Sequence, residues 1–349
     1  MHLQALSEGS VEYVCSGAEP SGGGVSPRNT RPRGQSIIEY VLITAIIGLV
    51  IVFAGPGVAG AIRNQFNLVG NTVNSGTSAG TEGGGASGGG STGTASTTVQ
   101  AAIAKDAKDW TLGEQKAVTE DIAVKGEASP AYAKAQAAMD ARIKFTMKLT
   151  DGQTLEYRII GIDHDDLADG SGKAGLTFLT TSTGIMSRVN ATDTNAGGWD
   201  KSKLRAKMNS GEIWNLMPSD FQSKVRAVRK LTNNVDGKTK DAAVAVTTDK
   251  LFLLSYSEIV DAPYSRWAQT YPWISSEGTQ YEAFKGKDSP KENGVTEISG
   301  LANGNMFYER GTYPSTTEGF LFVTKYGSTG TGGYYVARID MNICPVFCF

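Results

Sequence analysis

The sequence predicts an α+β protein in which a long apolar helix and a linker precede a mixed head. Three observations indicate this. Val41 to Ile62 carries no charge over 22 residues, which as a helix spans the roughly 30 Å of a bilayer core. A Gly/Ser/Thr-rich stretch follows at 69–98. From residue 142 onward, strand-like and helix-like patterns mix without the regular alternation of a parallel sheet.

Composition argues against several classes of protein. The formal net charge of −2 gives no general attraction to nucleic acid, which we do not expect as a partner. Three Cys are too few for a disulfide scaffold, and two His argue against a His-rich metal centre or a Ser-His-Asp triad. The 43 Gly and the low share of charged residues, 19%, indicate that part of the chain is linker. We therefore expect neither a cofactor nor enzymatic activity.

The charges that flank the apolar segment, residues 35–68, predict its orientation. The preceding polar segment, residues 1–34, ends in a cluster of three Arg, whereas only Arg63 closely follows the uncharged run. Positive charge tends to stay on the cytoplasmic side, so the C-terminal head is expected outside the cell. The segment predicts a membrane-anchored protein that is later displayed at the cell surface.

The apolar segment contains one carboxylate, Glu39, whose burial in a membrane is costly without a partner. The stretch "RGQSIIEYVLITAIIGLVIV" resembles the Flp-type (type IVb) pilins of tight-adherence (Tad) pili. The resemblance implies that residues 1–34 are a leader and that prepilin peptidase cuts between Gly34 and Gln35. Glu39 and Tyr40 then become mature positions five and six, and Glu39 neutralises the α-amine of another pilin subunit during assembly. A plain single-pass anchor, with Glu39 at the membrane interface, stays open.

Two departures from that family matter. Flp pilins have little beyond the helix, whereas this chain adds nearly three hundred residues, so we expect a minor pilin or pseudopilin that displays a head. The leader is also long and contains acidic residues, which leaves the true start codon open downstream of Met1.

Three further zones follow the apolar segment. Residues 69–98 cannot bury enough apolar surface to fold and are expected to be a tether. Residues 99–141 are rich in Ala, Lys, Glu and Asp at helical spacing and predict a helical stalk. Residues 142–349 are the predicted globular head.

Within the head, "RIKFTMKL", "TDGQ" and "TLEYRIIGID" predict a β-hairpin. "DKSKLRAKMN" and "PSDFQSKVRAV" predict short amphipathic helices, and "DKLFLLS" predicts a buried strand. "EGFLFVTKY" and "YYVARIDMNICPVFCF" predict a closing antiparallel set. "KVRAVRKLTNN" predicts an amphipathic element whose basic side chains, including that of Lys230, face solvent.

The segments "IIGIDHDDL", "GGWDKSKLRAKMNSGEIW", "DKLFLLSYSEI" and "YPWISSEG", with the closing "YYVARIDMNICPVFCF", resemble a domain of unknown function common on Gram-positive surface proteins. The resemblance covers Phe145 to Phe349. It departs where Cys344 precedes Pro345, since that family usually has an Arg-Pro there. The layout is also similar to C-type-lectin-like folds, which implies an adhesive or recognition head without identifying a ligand.

Candidate sites in the head are weak. Asp163, Asp165 and Asp169 crowd one loop and are the metal candidates, but EF-hand spacing fails because Leu167 and Leu176 occupy ligand positions. A solvated Asx-rich turn is the competing interpretation. His164, in the same loop, is expected to be a structural hydrogen-bonding group rather than a base.

Two other groups leave alternatives open. Arg266, Trp267 and Tyr271 lie in an aromatic, polar stretch that is typical of a glycan or host-surface recognition site, but aromatic residues such as Trp199 and Trp273 also build cores. Cys344 and Cys348 are four residues apart, which in a strand places them about 13 Å from each other. That distance is too long for a disulfide, so only a turn at Pro345 would permit one.

Overall fold

Helices and antiparallel strands make up the head, as expected for an α+β fold. The computed structural model describes residues 95–182, 184–234, 244–261, 271–289, 294–295, 298, 301–314, 316–329 and 335–349. The predicted leader, the apolar segment and most of the linker lie outside these residues. Among the residues described, no helix is long and apolar enough to cross a bilayer.

Three helices open the described chain: α1 (Thr97–Ile103), α2 (Leu112–Lys125) and α3 (Tyr132–Asp140). The α2 start is fixed by a capping box, in which Thr111 and Glu114 satisfy each other's backbone N–H groups. These helices fall in the segment expected to be a stalk. They pack on the head instead of standing apart, since α2 contacts the strand Leu176–Ser182 and α3 contacts the strand Thr154–Ile162.

The first sheet has four antiparallel strands in the order β1-β2-β3-β13. They are β1 (Phe145–Lys148), β2 (Thr154–Ile162), β3 (Leu176–Ser182) and β13 (Val346–Cys348). The predicted hairpin is confirmed, with Phe145 opposite Tyr157 and Lys148 opposite Thr154. Its period-2 burial, with Phe145 and Met147 inside, is what the alternating sequence requires.

The second sheet has the order β11-β10-β9-β12-β4, in which only the β12–β9 pairing is parallel. Its strands are β4 (Met186–Ser187), β9 (Phe307–Thr312), β10 (Gly319–Val323), β11 (Tyr335–Val336) and β12 (Met341–Asn342). The predicted closing set is therefore divided between two sheets, because β11 and β12 join the second sheet while β13 joins the first.

Two ribbons and several short helices complete the described head. The ribbons pair β5 (Val228–Asn233) with β6 (Val244–Asp249) and β7 (Asp288–Ser289) with β8 (Gly294–Val295). The short α-helices are α4 (Gly198–Lys201), α5 (Lys203–Asn209), α6 (Glu212–Leu216), α7 (Ser219–Gln222), α8 (Tyr256–Ile259) and α9 (Leu301–Gly304). Four 3₁₀ turns lie at Ala107–Asp109, Gly126–Ala128, Pro272–Glu277 and Glu282–Phe284.

One prediction about an element was wrong, and another is confirmed only in part. "DKLFLLS" is buried but is not a strand: β6 ends at Asp249, and Phe252 makes only a single bridge with Val346. "PSDFQSKVRAV" forms a helix for one turn only, α7, because the chain then extends toward β5. In both places the partner strand lies far along the sequence, so a local pattern could not locate it.

A cluster of aromatic rings joins the first sheet to its helices. Phe347 stacks on Phe178 at 5.3 Å between ring centroids and meets the edge of Phe221 at 4.7 Å. Trp110, in the loop before α2, stacks on Phe145 at 6.2 Å. The helical segment and the strands therefore share one hydrophobic core.

Helix α2 approaches the sheet closely at Gly175, beside the start of β3. A Cβ atom at this position would lie 2.0 Å from the backbone oxygen of Thr119 in α2. We expect Gly175→Ala to push α2 away and to destabilise the head by about 1–3 kcal/mol, as overpacked cores do. Chemical unfolding followed by tryptophan fluorescence measures this. Gly113→Ala, within α2 and free of such contacts, is the control and should stabilise by about 0.5–1 kcal/mol. Equal stability of the two variants would contradict the packing argument.

Candidate functional site

A network of buried charges lies where the β2–β3 loop, β5, α8 and β9 meet. Its centre consists of Asp165, Lys230, Glu258 and Arg310, of which none is more than 5% exposed. Buried ions are rare because desolvation costs several kcal/mol per ion, so each one requires close partners. The cluster is therefore the strongest chemical feature of the described head.

Lys230 enters the interior because β5 alternates its side chains with a period of two. Val228, Lys230 and Thr232 face inward, whereas Arg229 and Leu231 face solvent. The expectation of a solvated basic face that includes Lys230 was wrong, because the strand puts Lys230 on the same inward face as Val228.

The Lys230 ammonium lies between two carboxylates. Its Nζ is 2.6 Å from Asp165 Oδ1 and 2.5 Å from Glu258 Oε1. The Phe252 ring centroid is 4.3 Å from the same nitrogen. Although burial acts to lower the pKa of Lys230, the two carboxylates raise it above its usual value.

Asp165 is held from several sides. The loop that carries it runs beside β5, where Arg229 N–H donates to the Asp166 carbonyl at 2.8 Å. The Tyr281 hydroxyl donates to Asp165 Oδ2 at 2.9 Å, and Thr177 Oγ1 donates to the same oxygen at 2.6 Å. Burial opposes ionisation, but Lys230 outweighs it and the pKa of Asp165 falls to about 2.

Glu258 is fixed by α8 and by Arg310. Its side chain closes the capping box of α8 by accepting from the Ser255 N–H at 3.0 Å. The Arg310 guanidinium donates to both Glu258 oxygens, one contact being 2.9 Å, and also to the Leu253 carbonyl at 2.8 Å. Burial favours the neutral acid, yet Arg310 and Lys230 lower the pKa of Glu258 below its usual value.

Two further buried carboxyls, Glu277 and Glu309, exceed what the two cations can neutralise. Asp165 and Glu258 already balance Lys230 and Arg310. Burial raises the pKa of Glu277 to about 7 and that of Glu309 to about 8. Each carboxyl keeps one oxygen without a hydrogen-bond partner. A neutral form is therefore favoured for both, since a charge there would be poorly solvated.

A polar pocket of about 290 Å³ leads from the surface to this cluster. Its floor includes Asp165, Lys230 and Glu258, and Leu231 is its one large aliphatic side chain. The other lining residues are His164, Asp166, Lys173, Arg229, Glu277, Gly278 and Thr279. The pocket thus connects four otherwise buried ionisable groups, Glu277 among them, with water.

His164 borders the pocket but is already engaged. Its ring stacks on Tyr281 at 4.0 Å between centroids, and Nδ1 lies 3.1 Å from Glu282 Oε2. Burial opposes the charge of Glu282, but His164 and Lys285 lower its pKa to about 2. These contacts match the expected structural role for His164.

The predicted metal candidates do not converge. Asp165 is committed to the buried network, whereas Asp169 accepts from Arg226 at 2.6 Å on the surface. Asp163 is half-buried and has a positive φ of 50°. Among the described residues, no group of three or more His, Cys, Asp or Glu side chains could hold a metal ion. A fully solvated turn was also the wrong interpretation for Asp165, which is 4% exposed.

Some of the other predicted site residues lie among the residues that the structure describes, and others do not. Gly34, Gln35, Glu39 and Tyr40 lie outside the described residues. So do two of the ligand candidates, Arg266 and Trp267. The third, Tyr271, is half-buried, with its ring 6.2 Å from that of Trp273.

Several candidate residues prove to be interior. Trp199 and Trp273 are buried, and the Trp199 indole donates to Asp249 at 3.0 Å. Cys344 and Cys348 are buried free thiols in the structure, so the candidate disulfide is not formed there. Burial raises the pKa of both thiols, which makes them poor nucleophiles.

Sequence reasoning missed Lys230, Glu258 and Arg310. Period-2 alternation in "VRKLTNN" was the available signal for a buried Lys230. For Glu258, "SYSE" has the spacing of a capping box, which indicates an ordered carboxylate. Nothing local distinguishes Arg310, because its partners come from elements far along the chain.

A family model described as Domain of unknown function (DUF6273) matches residues 174–348, half of the chain. The chain therefore belongs to this family. The matched span includes Lys230, Glu258 and Arg310 but begins after Asp165. No curated protein and no solved structure matches the chain.

The raised pKa of Glu309 predicts a pH dependence of stability. The folded head keeps a proton on Glu309 up to about pH 8, whereas the unfolded chain releases it near its ordinary value of 4.5. The free energy of unfolding should therefore fall between about pH 5 and 8, by at most ~1.4 kcal/mol per pH unit from this group. Urea unfolding at several pH values should show Glu309→Gln gaining stability relative to wild type as pH rises.

Exposed Glu127 provides the matched control, since Glu127→Gln should leave the pH profile of unfolding unchanged. A wild-type-like pH profile for Glu309→Gln would mean that Glu309 is ionised in the folded head.

Proposed function

We propose that this member of the DUF6273 family is a pilin-like surface protein that displays a recognition head. The observation that carries the proposal is the pattern around Gly34 and Gln35, with Glu39 and Tyr40 at the start of an uncharged run of 22 residues. In this function the apolar segment first holds the chain in the membrane and then packs among other pilin subunits. The chain is a minor Flp-type pilin or pseudopilin.

Electrostatics supports a paired role for Glu39. Cleavage after Gly34 removes the Arg cluster, which could not enter a filament core, and creates an α-amine at Gln35. A carboxylate buried in the core of a helical bundle is strongly unfavourable unless an opposite charge lies beside it. The α-amine of a neighbouring subunit supplies that charge, so Glu39 can lie in an apolar environment and still have a partner.

The head is the displayed part. It is folded from an α+β set of elements with its own hydrophobic core, which suits a module presented beyond a tether. We propose an adhesive role, with a glycan or another host-surface molecule as ligand, and a C-type-lectin-like layout. The order of short helices, strand ribbons and a late closing strand supports this layout. We propose no enzymatic role.

A second candidate function is a single-pass anchor that carries the same extracellular binding domain without pilin processing. The position of Glu39, near the start of the apolar run, favours it because a carboxylate close to the interface can reach water.

N-terminal sequencing of the protein recovered from the cell envelope separates these functions. Prepilin processing predicts a mature chain that starts at Gln35. Gly34→Val should then leave the leader attached, because the resemblance places the cut directly after this glycine and the branched side chain would crowd the cleaved bond. A chain from the envelope that retains the leader would contradict pilin processing and leave the anchor.

Assembly depends on the pairing of Glu39. We expect Glu39→Ala to be processed normally but to drop by at least about tenfold in the sheared surface fraction, because the new α-amine has no partner. Immunoblots of sheared and membrane fractions measure this. Glu82→Gln, which also removes one carboxylate but in the linker, is the control. Full recovery of Glu39→Ala in the sheared fraction would contradict the pairing.

A further inference from the structure

Three reactive groups meet in the buried network without a role in the function proposed above. An amine, Lys230 Nζ, is 2.6 Å from the carboxyl oxygen Asp165 Oδ1. A second carboxylate, Glu258, is 2.5 Å from the same nitrogen. All three side chains are at most 5% exposed. An amine, an acid and a proton carrier in mutual contact are the components of amide formation.

We propose that Lys230 and Asp165 condense to an intramolecular amide, with Glu258 carrying the proton. The product is a covalent cross-link between the β2–β3 loop and β5. The head would thereby stabilise itself by a side-chain bond that needs no oxidant and uses no cysteine.

The reaction balances within the three groups. Nζ forms a bond with Asp165 Cγ, and the bond from Cγ to one carboxyl oxygen breaks. Of the three ammonium hydrogens, one stays on the amide nitrogen and two leave with that oxygen as water. Glu258 takes a proton from the amine and returns it to the departing oxygen, so it ends as it began. One positive and one negative charge disappear together.

The distances place the reactants in range. The carboxyl carbon lies one bond of about 1.2 Å beyond Oδ1, so Nζ is within about 4 Å of it. Productive geometries bring reacting atoms to about 3–3.5 Å, and fixing two groups there removes most of the entropic cost of their encounter. Tyr281 and Thr177 hold Asp165 in place, through hydrogen bonds of 2.9 and 2.6 Å.

Two aromatic rings and a carboxylate surround the Lys230 amine. Phe252 and Tyr281 place their ring centroids 4.3 and 5.6 Å from Nζ. Glu258 Oε1, 2.5 Å from Nζ, is placed to take a proton from the ammonium. The neutral amine that results is the form able to attack a carbonyl carbon.

Arg310 has a positioning role in this scheme. It donates to both oxygens of Glu258 and fixes the carboxylate with one oxygen facing Lys230. The Ser255 N–H holds the other oxygen at 3.0 Å. A general acid–base group must lie within about 3.2 Å of the proton that it moves, and Glu258 Oε1 meets this requirement.

The pocket above the cluster completes the site. It is lined by Asp165, Lys230 and Glu258 and opens to solvent. The water released by condensation therefore has a way out of the site.

Tryptic peptide mapping of the full-length, detergent-solubilised chain tests the proposal. Trypsin cannot cleave after a lysine whose amine is in an amide. The cross-link therefore predicts a branched peptide in which 159–173 is joined to 230–238, lighter than the two separate peptides by one water molecule. Finding free 159–173 together with the linear peptide 231–238, and no branched form, in folded protein would overturn the proposal.

Variants then assign the roles. Glu258→Gln keeps the shape of the side chain but cannot carry the proton, and should slow formation of the branched peptide by about 100-fold or more. Glu309→Gln alters a buried carboxyl that does not line the pocket. This control variant should form the branched peptide at the wild-type rate. Equal rates in Glu258→Gln and wild type would overturn the role of Glu258. None of these results depends on how the N-terminus is processed, so they are independent of the pilin proposal.

Discussion

The pairing of Lys230 with Asp165 and Glu258 is the constraint on which the described head depends. An ammonium buried to this extent is tolerated only while both carboxylates lie beside it, and each carboxylate comes from a different part of the chain. Asp165 follows β2, Glu258 lies on α8, and Arg310 on β9 ties Glu258 to the second sheet. Loss of one partner from such a buried pair typically costs 3–5 kcal/mol, because the remaining charge stays buried. The network therefore specifies how the first sheet, the β5–β6 ribbon and β9 meet.

The same network explains why neighbouring acids behave differently. Asp165 and Glu258 stay ionised because cations touch them, whereas Glu277 and Glu309 favour their neutral forms because the two cations are already balanced. Burial acts on all four in the same direction. Proximity to Lys230 and Arg310 determines which of them keep the charge, so the protonation pattern is a consequence of register in β5 and β9.

Local features of the sequence predicted local structure well. The β1–β2 hairpin followed from alternation around a turn, and the short helix α5 followed from its Ser start and apolar spacing. The centre of the site could not be predicted in the same way. Lys230 was assigned to a solvated face because "KVRAVRKLTNN" is typical of an amphipathic element with a basic side, and only the pairing of β5 with β6 shows a strand whose inward face includes Lys230. Asp165 looked like one of many loop carboxylates, since its partners Lys230 and Tyr281 are distant in sequence.

The pairing of β13 with β3 has a consequence for how the head is made. Val346 lies opposite Leu179, so the first sheet gains its fourth strand from the far end of the head. Contacts between residues so distant in sequence form late, because a long loop must close before they give any stabilisation. The aromatic face of β3 would therefore remain uncovered until the last strand arrives. This leaves a period during folding in which chaperones could bind the chain and in which the unpaired β3 edges of two chains could associate.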